Sequence, residues 1–347
     1  MPAPTTRWEI FPRAPETHLA QFPNIPRLVI QLLYNRGIYR PNEVHAFLEG
    51  EETHDPYLLK DVPEAVAHLL SAIQNNAPIV VYGDYDADGV TATVLMVQAL
   101  QGLGANVRPY IPDRFDEGYG LNKEAIAALA KKGAALIVTV DCGIRSVEEV
   151  AYGNRLGLQF IITDHHHVPT DAAGNDVLPP AAAVINPKRA DNEYPFRELA
   201  GVGVAFKLVQ ALRQAVSPKR AAVPTLQDDA LLDLVAIGTV ADMVPLLGEN
   251  RSLVKRGLRQ VNQPRRVGLH ALIQESHLAP GDITAGSIGF ILGPRLNAAG
   301  RLAHARLAYR LLSTGDSRQA SQLAQKLGHI NAERQDMTRQ FVEQARS

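Results

Sequence analysis

Three aspartates stand at alternate positions in Tyr82-Gly-Asp84-Tyr-Asp86-Ala-Asp88-Gly89, directly after the apolar run Ile79-Val-Val-Tyr82. The same arrangement recurs at Val140-Asp141-Cys142-Gly143 and at Thr163-Asp164-His165-His166, where an apolar, β-branched run again feeds into acid or imidazole. If those runs are strands of one open parallel sheet, their ends converge where such sheets bind ligands. Oxygen-rich sites suit Mg²⁺ or Mn²⁺, and an added imidazole tilts the choice toward Mn²⁺. Two such ions about 3.5–4 Å apart activate a water and clamp a phosphoester during hydrolysis. They need a shared carboxylate, and Asp141 is the candidate. Asp242, after a helical stretch, is placed to close the site from the side. His166 need not be a ligand and suits hydrogen-bonding a phosphoryl oxygen or assisting the leaving group.

Each motif alone has a plainer explanation. A calcium loop of the helix-loop-helix type requires glutamate at its twelfth position. Counted from Asp84, that position is Leu95, which excludes it. Asp141 alone suits a turn or cap, and Asp164-His165-His166-His167 alone suits a solvated polar loop. All three at strand exits argue for a metal site. Cys142 has no histidine partner at a telling spacing and reads as a small buried residue. Gly201-Val-Gly203 is too short for a dinucleotide fingerprint and reads as a tight turn before a helix.

The elements that must carry these residues follow from periodicity. Residues 1–75 read as a helical N-terminal region, with helix-spaced apolar positions over Ile25–Leu33 and prolines at 41 and 63 suited to helix starts. Strand-like runs at Ile79–Tyr82, Val107–Ile111, Ala135–Val140, Gln159–Thr163 and Ala182–Ile185 then alternate with amphipathic stretches at Val90–Leu103, Lys123–Lys132 and Val147–Leu156. Such alternation implies βαβ units and a parallel sheet, and the near-continuous apolarity of the strands implies burial on both faces. Helices are expected at Gly201–Val209, Asp229–Val240 and Arg251–Val261. The fold class is α/β: a catalytic α/β region over 76–315 is flanked by the helical region and by one long helix over 316–347, capped by Asp316 or Ser317. That last helix reads as a connector to a further domain.

At 347 residues and 46% hydrophobic content, the chain can bury a sizeable core. A net charge of −1 gives no global basic field, so any nucleic-acid contact must come from a local patch. A single cysteine excludes an internal disulfide framework and fits a reducing compartment. No run of about 18 apolar residues suggests a membrane span, and no signal core opens the chain, so a cytoplasmic monomer is expected. Arg251, Lys255, Arg256, Arg259, Arg265 and Arg266 form a basic segment that suits phosphate contacts or a solvated helix face. Gly293-Pro-Arg295-Leu-Asn297-Ala-Ala-Gly300-Arg301 sets two arginines and an asparagine on a small-residue backbone. Arg forks suit phosphate oxygens, so Arg301 is the expected anchor for a terminal phosphate, with Arg295 and Asn297 supporting. Tyr82, Tyr85, Phe115 and Tyr119 are candidates for stacking bases, though most aromatics belong to the core.

Together these motifs resemble the DHH phosphoesterase superfamily, named for the triplet present here as Asp164-His165-His166. The Tyr82–Ala92, Val140–Gly143 and Thr163–His166 segments, Ala236-Ile-Gly-Thr-Val-Ala-Asp-Met-Val-Pro-Leu and Gly293-Pro-Arg-Leu-Asn-Ala-Ala-Gly-Arg-Leu are similar to the family of bacterial single-strand-specific DNA exonucleases within it. The resemblance spans nearly the whole chain. It implies Asp84, Asp86, Asp141, His165 and Asp242 as metal ligands, His166 as the catalytic histidine, and Asp88 and Asp164 as residues that orient the ligands. It further implies two Mn²⁺ or Mg²⁺ ions and stepwise removal of 5′ mononucleotides from single-stranded DNA in repair and recombination. A single-strand-binding protein or a helicase would be the further partner. The glycine-rich motif of the family's second domain is absent, so this chain is expected to be an N-terminal catalytic core. Two alternatives stand beside it: a phosphodiesterase of small substrates or oligonucleotides, and a non-catalytic DNA-binding scaffold.

Overall fold

The computed structural model describes residues 9–114, 116–118 and 120–346. The chain divides into two compact units, Met1–Glu52 and Thr53–Ser347. In the first, α1 (Glu16–Leu19), α2 (Arg27–Tyr34) and α3 (Pro41–Glu49) enclose a small core of Phe22, Ile30, Leu33 and Val44. Helix α3 begins on Pro41 and ends on Gly50 in the left-handed conformation, the usual proline-in, glycine-out asymmetry.

The second unit is built on five parallel strands in the order β2-β1-β3-β4-β5. They are β1 (Ile79–Gly83), β2 (Val107–Tyr110), β3 (Leu136–Val140), β4 (Gln159–Thr163) and β5 (Ala183–Ile185). Helices α5 (Ala87–Gly102), α6 (Lys123–Lys131) and α7 (Val147–Arg155) make the crossovers. Alternate strand residues serve two cores. Ile79, Val81, Leu136, Val138 and Ile161 join the larger cluster, while Val80, Tyr82, Ile137, Phe160 and Ile162 join the smaller one with Ile126 and Val150 of α6 and α7. Burial on both faces explains why the strands read as unbroken apolar runs.

Helix α4 (Val62–Gln74) falls with the sheet and not with the N-terminal unit, so the helical region expected over 1–75 is split at 52/53. Its buried face of Val62, Ala65, Val66 and Leu69 is part of the main core. Asp61, just before it, accepts from Val184 N at 3.0 Å and from Arg189 Nη1 at 2.7 Å, which fastens α4 to β5.

After the sheet come α8 (Gly201–Ala215), α9 (Pro218–Ala221), α10 (Asp228–Ala241), α11 (Gly248–Val261), α12 (Val267–Glu275), α13 (Ala285–Ser287), α14 (Gly293–Leu302), α15 (Arg306–Ser313) and α16 (Ser317–Arg346). Gly201 and Gly203 lie inside the first turn of α8, which corrects the expected turn before a helix. The Gly293–Arg301 segment is likewise helical, continuing from a π-helical turn over Ile288–Leu292. Asp316 caps α16 by accepting from Arg318 N at 2.8 Å. The buried face of α16, Ala320, Leu323, Ala324, Leu327, Ile330 and Asn331, lies wholly in its first half. Among the described residues, no helix is long and apolar enough to cross a membrane.

Candidate metal centre

Every expected ligand lies at the carboxyl edge of the sheet or at the end of α10. Asp84 follows β1, and its Oδ1 accepts from Tyr85 N at 2.7 Å. Asp86 is the N-cap of α5, with Oδ1 accepting from Asp88 N at 2.9 Å and Gly89 N at 3.0 Å. Asp141 follows β3 with a φ of +64°, an uncommon conformation for a residue with a side chain. Gly201 makes room for it: a Cβ there would lie 2.4 Å from Asp141 Oδ1. Asp242 ends α10, where the negative end of the helix dipole favours a cation.

His165 ties these groups together. Its Nε2 lies 3.1 Å from Asp141 Oδ1, 3.7 Å from Asp242 Oδ2 and 3.9 Å from Asp88 Oδ2. Three donor sets have ligand atoms within 4.8 Å of one another: Asp84, Asp86, Asp141; Asp141, His165, His166; and Asp88, His165, Asp242. Asp141 belongs to two of them, as a shared carboxylate must. Asp141 Oδ1 and His165 Nε2 are buried without a hydrogen-bond partner among the described residues. Buried polar atoms are normally satisfied, so these two point to a cation as their partner.

The electrostatics agree. Burial, then Asp86, pushes the Asp84 carboxyl up to about 7. Burial, then Asp86, raises Asp242 to about 6. Burial and neighbouring carboxylates raise Asp88 and Asp141 well above the ordinary range. Burial, then the adjacent His166, lowers His165 to about 4, so it is a neutral imidazole fit to ligate. So many buried carboxylates cannot all ionise without positive charge among them, and divalent cations bound by carboxylate and imidazole meet that need.

Asp88 and Asp164 are tied to backbone. Asp88 accepts from Gly201 N at 2.7 Å and Val202 N at 2.9 Å, joining α5 to the start of α8. Asp164 Oδ1 accepts from His165 N, His166 N and His166 Nδ1 at 2.7, 3.1 and 2.7 Å, and its Oδ2 accepts from Ile144 N at 2.9 Å. Burial alone would raise Asp164, but its bonds to His166 and Ile144 outweigh this and lower it. The hydrogen bond to Asp164 raises His166 in turn. With Nδ1 committed to Asp164, any chemistry at His166 falls to Nε2. Its half-exposed ring lines a cavity of about 380 Å³ with Gly143, Arg145 and Ser146.

The expected nucleic-acid contacts fare differently. Arg295 is not free to hold a phosphate: its Nε donates to Glu275 Oε2 at 2.8 Å and its Nη1 to Ile291 O at 3.0 Å, on a largely buried side chain. Asn297 Oδ1 accepts from Ala87 N at 2.7 Å, at the start of α5 beside Asp86. Arg301 is exposed at the end of α14, and its charge acts on Tyr85. The basic segment is partly neutralised, with Arg256 paired to Asp228 at 3.3 Å and Arg266 to Asp233 at 2.9 Å. Tyr82 is fully buried and donates to Gly120 O at 3.0 Å, so it stacks on no ligand. Tyr85 is half-buried, and Phe115 and Tyr119 lie outside the described residues. Cys142 is buried, and burial pushes its thiol up, away from nucleophilic use.

Three residues went unread in the sequence. Arg114 lies over the Tyr85 ring at 4.9 Å, and the charge of Arg301 acts on the same tyrosine. The charge of Lys188 acts on both His165 and Asp242. Asn186 Nδ2 donates to His166 O at 2.9 Å. Asn186 and Lys188 follow β5, so the strand-exit logic applied to the other strands would have flagged them.

The model of the DHH family, N-terminal domain, matches residues 78–239. The single-stranded-DNA-specific exonuclease RecJ of Bacillus subtilis is 41% identical over 99% of this chain and 42% of its own length. The protein of the same name from Escherichia coli is 39% identical over 90% of this chain and 54% of its own length. The chain thus spans about half the length of the curated relatives it matches. A crystal structure of exonuclease RecJ bound to manganese superposes with a TM-score of 0.72 at 38% identity, over 82% of this chain and 69% of that one. RecJ from Thermus thermophilus in complex with Mn²⁺ superposes with a TM-score of 0.78 at 32% identity, over 97% of this chain and 47% of that one. Alike in sequence over nearly its whole length and alike in fold, the chain belongs to the RecJ family of DHH-domain proteins.

Proposed function

We propose that this chain is the catalytic core of a two-metal exonuclease that hydrolyses single-stranded DNA from its 5′ end, in DNA repair and recombination. The observation that carries the reading is the convergence of Asp84, Asp86, Asp141, His165 and Asp242, with Asp141 common to two donor sets. These five residues would hold the metals, and the chemistry of the set fits Mn²⁺ or Mg²⁺. When bound, the ions supply Lewis-acid polarisation of the phosphodiester and a water of lowered pKa. Asp164 fixes the ring of His166 through Nδ1, so that Nε2 donates a proton to the departing oxygen. The hydrogen bond to Asp164 raises the pKa of the ring, which favours the proton-donating form. Arg301 and Arg114, whose charges both act on Tyr85, supply cationic groups for the terminal phosphate of the strand. Asp88 and Asp164 brace the loops from beneath. A single-strand-binding protein or helicase is the natural partner, and the protein works as a cytoplasmic monomer.

The test is digestion of end-labelled single strands by this chain in Mn²⁺, beside dinucleotides and duplex DNA. Mononucleotides released stepwise from the 5′ end are expected. Turnover confined to dinucleotides would favour a small-substrate phosphodiesterase. Tight strand and Mn²⁺ binding without cleavage would leave a DNA-binding scaffold.

A further inference from the structure

Helix α14 meets the metal-binding loop at both peptide groups that flank Asp86. On one side, Ala87 N donates to Asn297 Oδ1 at 2.7 Å. On the other, Gly300 lies so close that a Cβ there would come within 2.5 Å of the Tyr85 carbonyl oxygen. Asn297 and Gly300 are one turn apart and therefore share a face of the helix. The Ala87 N–H belongs to the first turn of α5, where no intrahelical acceptor exists. Asp86 Oδ1 already serves the next two N–H groups, of Asp88 and Gly89. Because Asn297 takes the third, Asp86 need not turn its carboxylate further toward the helix and can offer an oxygen to the cluster formed with Asp84 and Asp141. The helix itself is held by Arg295, whose ion pair with Glu275 joins α14 to the end of α12, while its bond to Ile291 O stays within the preceding turn.

We propose that Asn297 and Gly300 are positioning residues that set the direction in which Asp86 presents its carboxylate to the metals. This rests on the metal-centre reading and gives the Gly293–Arg301 segment a role distinct from phosphate contact, Arg301 excepted. Residues that orient metal ligands change affinity about 10–100-fold when lost.

The test measures Mn²⁺ affinity of the full chain from the EPR signal of free Mn²⁺, with thermal melts alongside. Asn297→Leu removes the acceptor at similar volume and should weaken Mn²⁺ binding about tenfold or more. Asn297→Asp keeps the acceptor and should restore it. Gly300→Ala favours the helix intrinsically yet crowds the Tyr85 carbonyl, and should also weaken binding. Leu327→Ala, a destabilising change in α16, should leave affinity unaltered, which separates positioning from general loss of stability. A folded Asn297→Leu or Gly300→Ala that binds Mn²⁺ as wild type does overturns the proposal, as does Asn297→Asp binding no better than Asn297→Leu. If Asn297→Leu does not melt cooperatively, the other two variants decide. Wild type that binds no Mn²⁺ overturns the metal-centre reading itself, a result distinct from equal binding by wild type and variants.

Discussion

His166 and Asp141 sit side by side in sequence logic but in different surroundings. Asp141 is buried, strained in φ and shared between donor sets, whereas His166 is half-exposed and tied to Asp164. Asp141→Ala should therefore abolish both turnover and Mn²⁺ binding while the chain stays folded. His166→Ala should lower kcat about 10²–10⁴-fold and leave Mn²⁺ affinity near wild type. If both variants lose the metal alike, His166 is a ligand and not a proton donor. The carboxyls also make a pH prediction. Asp84 and Asp242 titrate at about 7 and about 6 in the folded chain, above the ordinary value of about 4 for an unfolded chain. Between those limits the folded state holds protons that the unfolded state has released, so metal-free stability falls as pH rises from about 4 through 7. Mn²⁺ replaces those protons and should restore the melting temperature at pH 8. Melts with chelator at pH 5 and pH 8 check this against Asp84→Asn, in which the drop should shrink. An equal drop in the variant would show that Asp84 does not carry the effect.

At the scale of elements, the strands were legible because they are buried on both faces and carry unbroken apolar runs, and each ended within a residue or so of its expected bound. The loops after them inherited the site directly. The Gly293–Arg301 segment was not legible in this way. Its glycines and arginines suggest a phosphate loop, yet Asn297 meets Ala87 across 210 residues of chain, a contact no local pattern announces. The ion pairs of Arg295 and Arg266 are equally invisible to local pattern, because the carboxylates that neutralise them, Glu275 and Asp233, lie on other helices. Helix α16 was legible as a helix, with its burial confined to the first half. Leu327, fully buried there, should cost about 2–5 kcal/mol on truncation to alanine, read from denaturant midpoints. A cost below about 1 kcal/mol would mean that α16 is not part of the folded unit.

For the whole molecule, the ligands, their bracing residues and α14 all belong to the unit Thr53–Ser347. A chain beginning at residue 53 should bind Mn²⁺ with the affinity of the full one. A loss of more than tenfold would show that the N-terminal unit contributes to the centre. With a net charge of −1, the proposed binding of single strands rests on local cations such as Arg114, Lys188 and Arg301, and a steep fall in affinity with added salt is the expected outcome. The identities of the chemical groups and the order of strands and helices were written in local pattern, because apolar periodicity and residue type are properties of neighbouring positions. Which carboxylate joins two donor sets, which arginines are already paired and which helix packs against the Asp84–Asp86 loop depend on distances between remote segments. Those distances exist only once the sheet and its covering helices have packed.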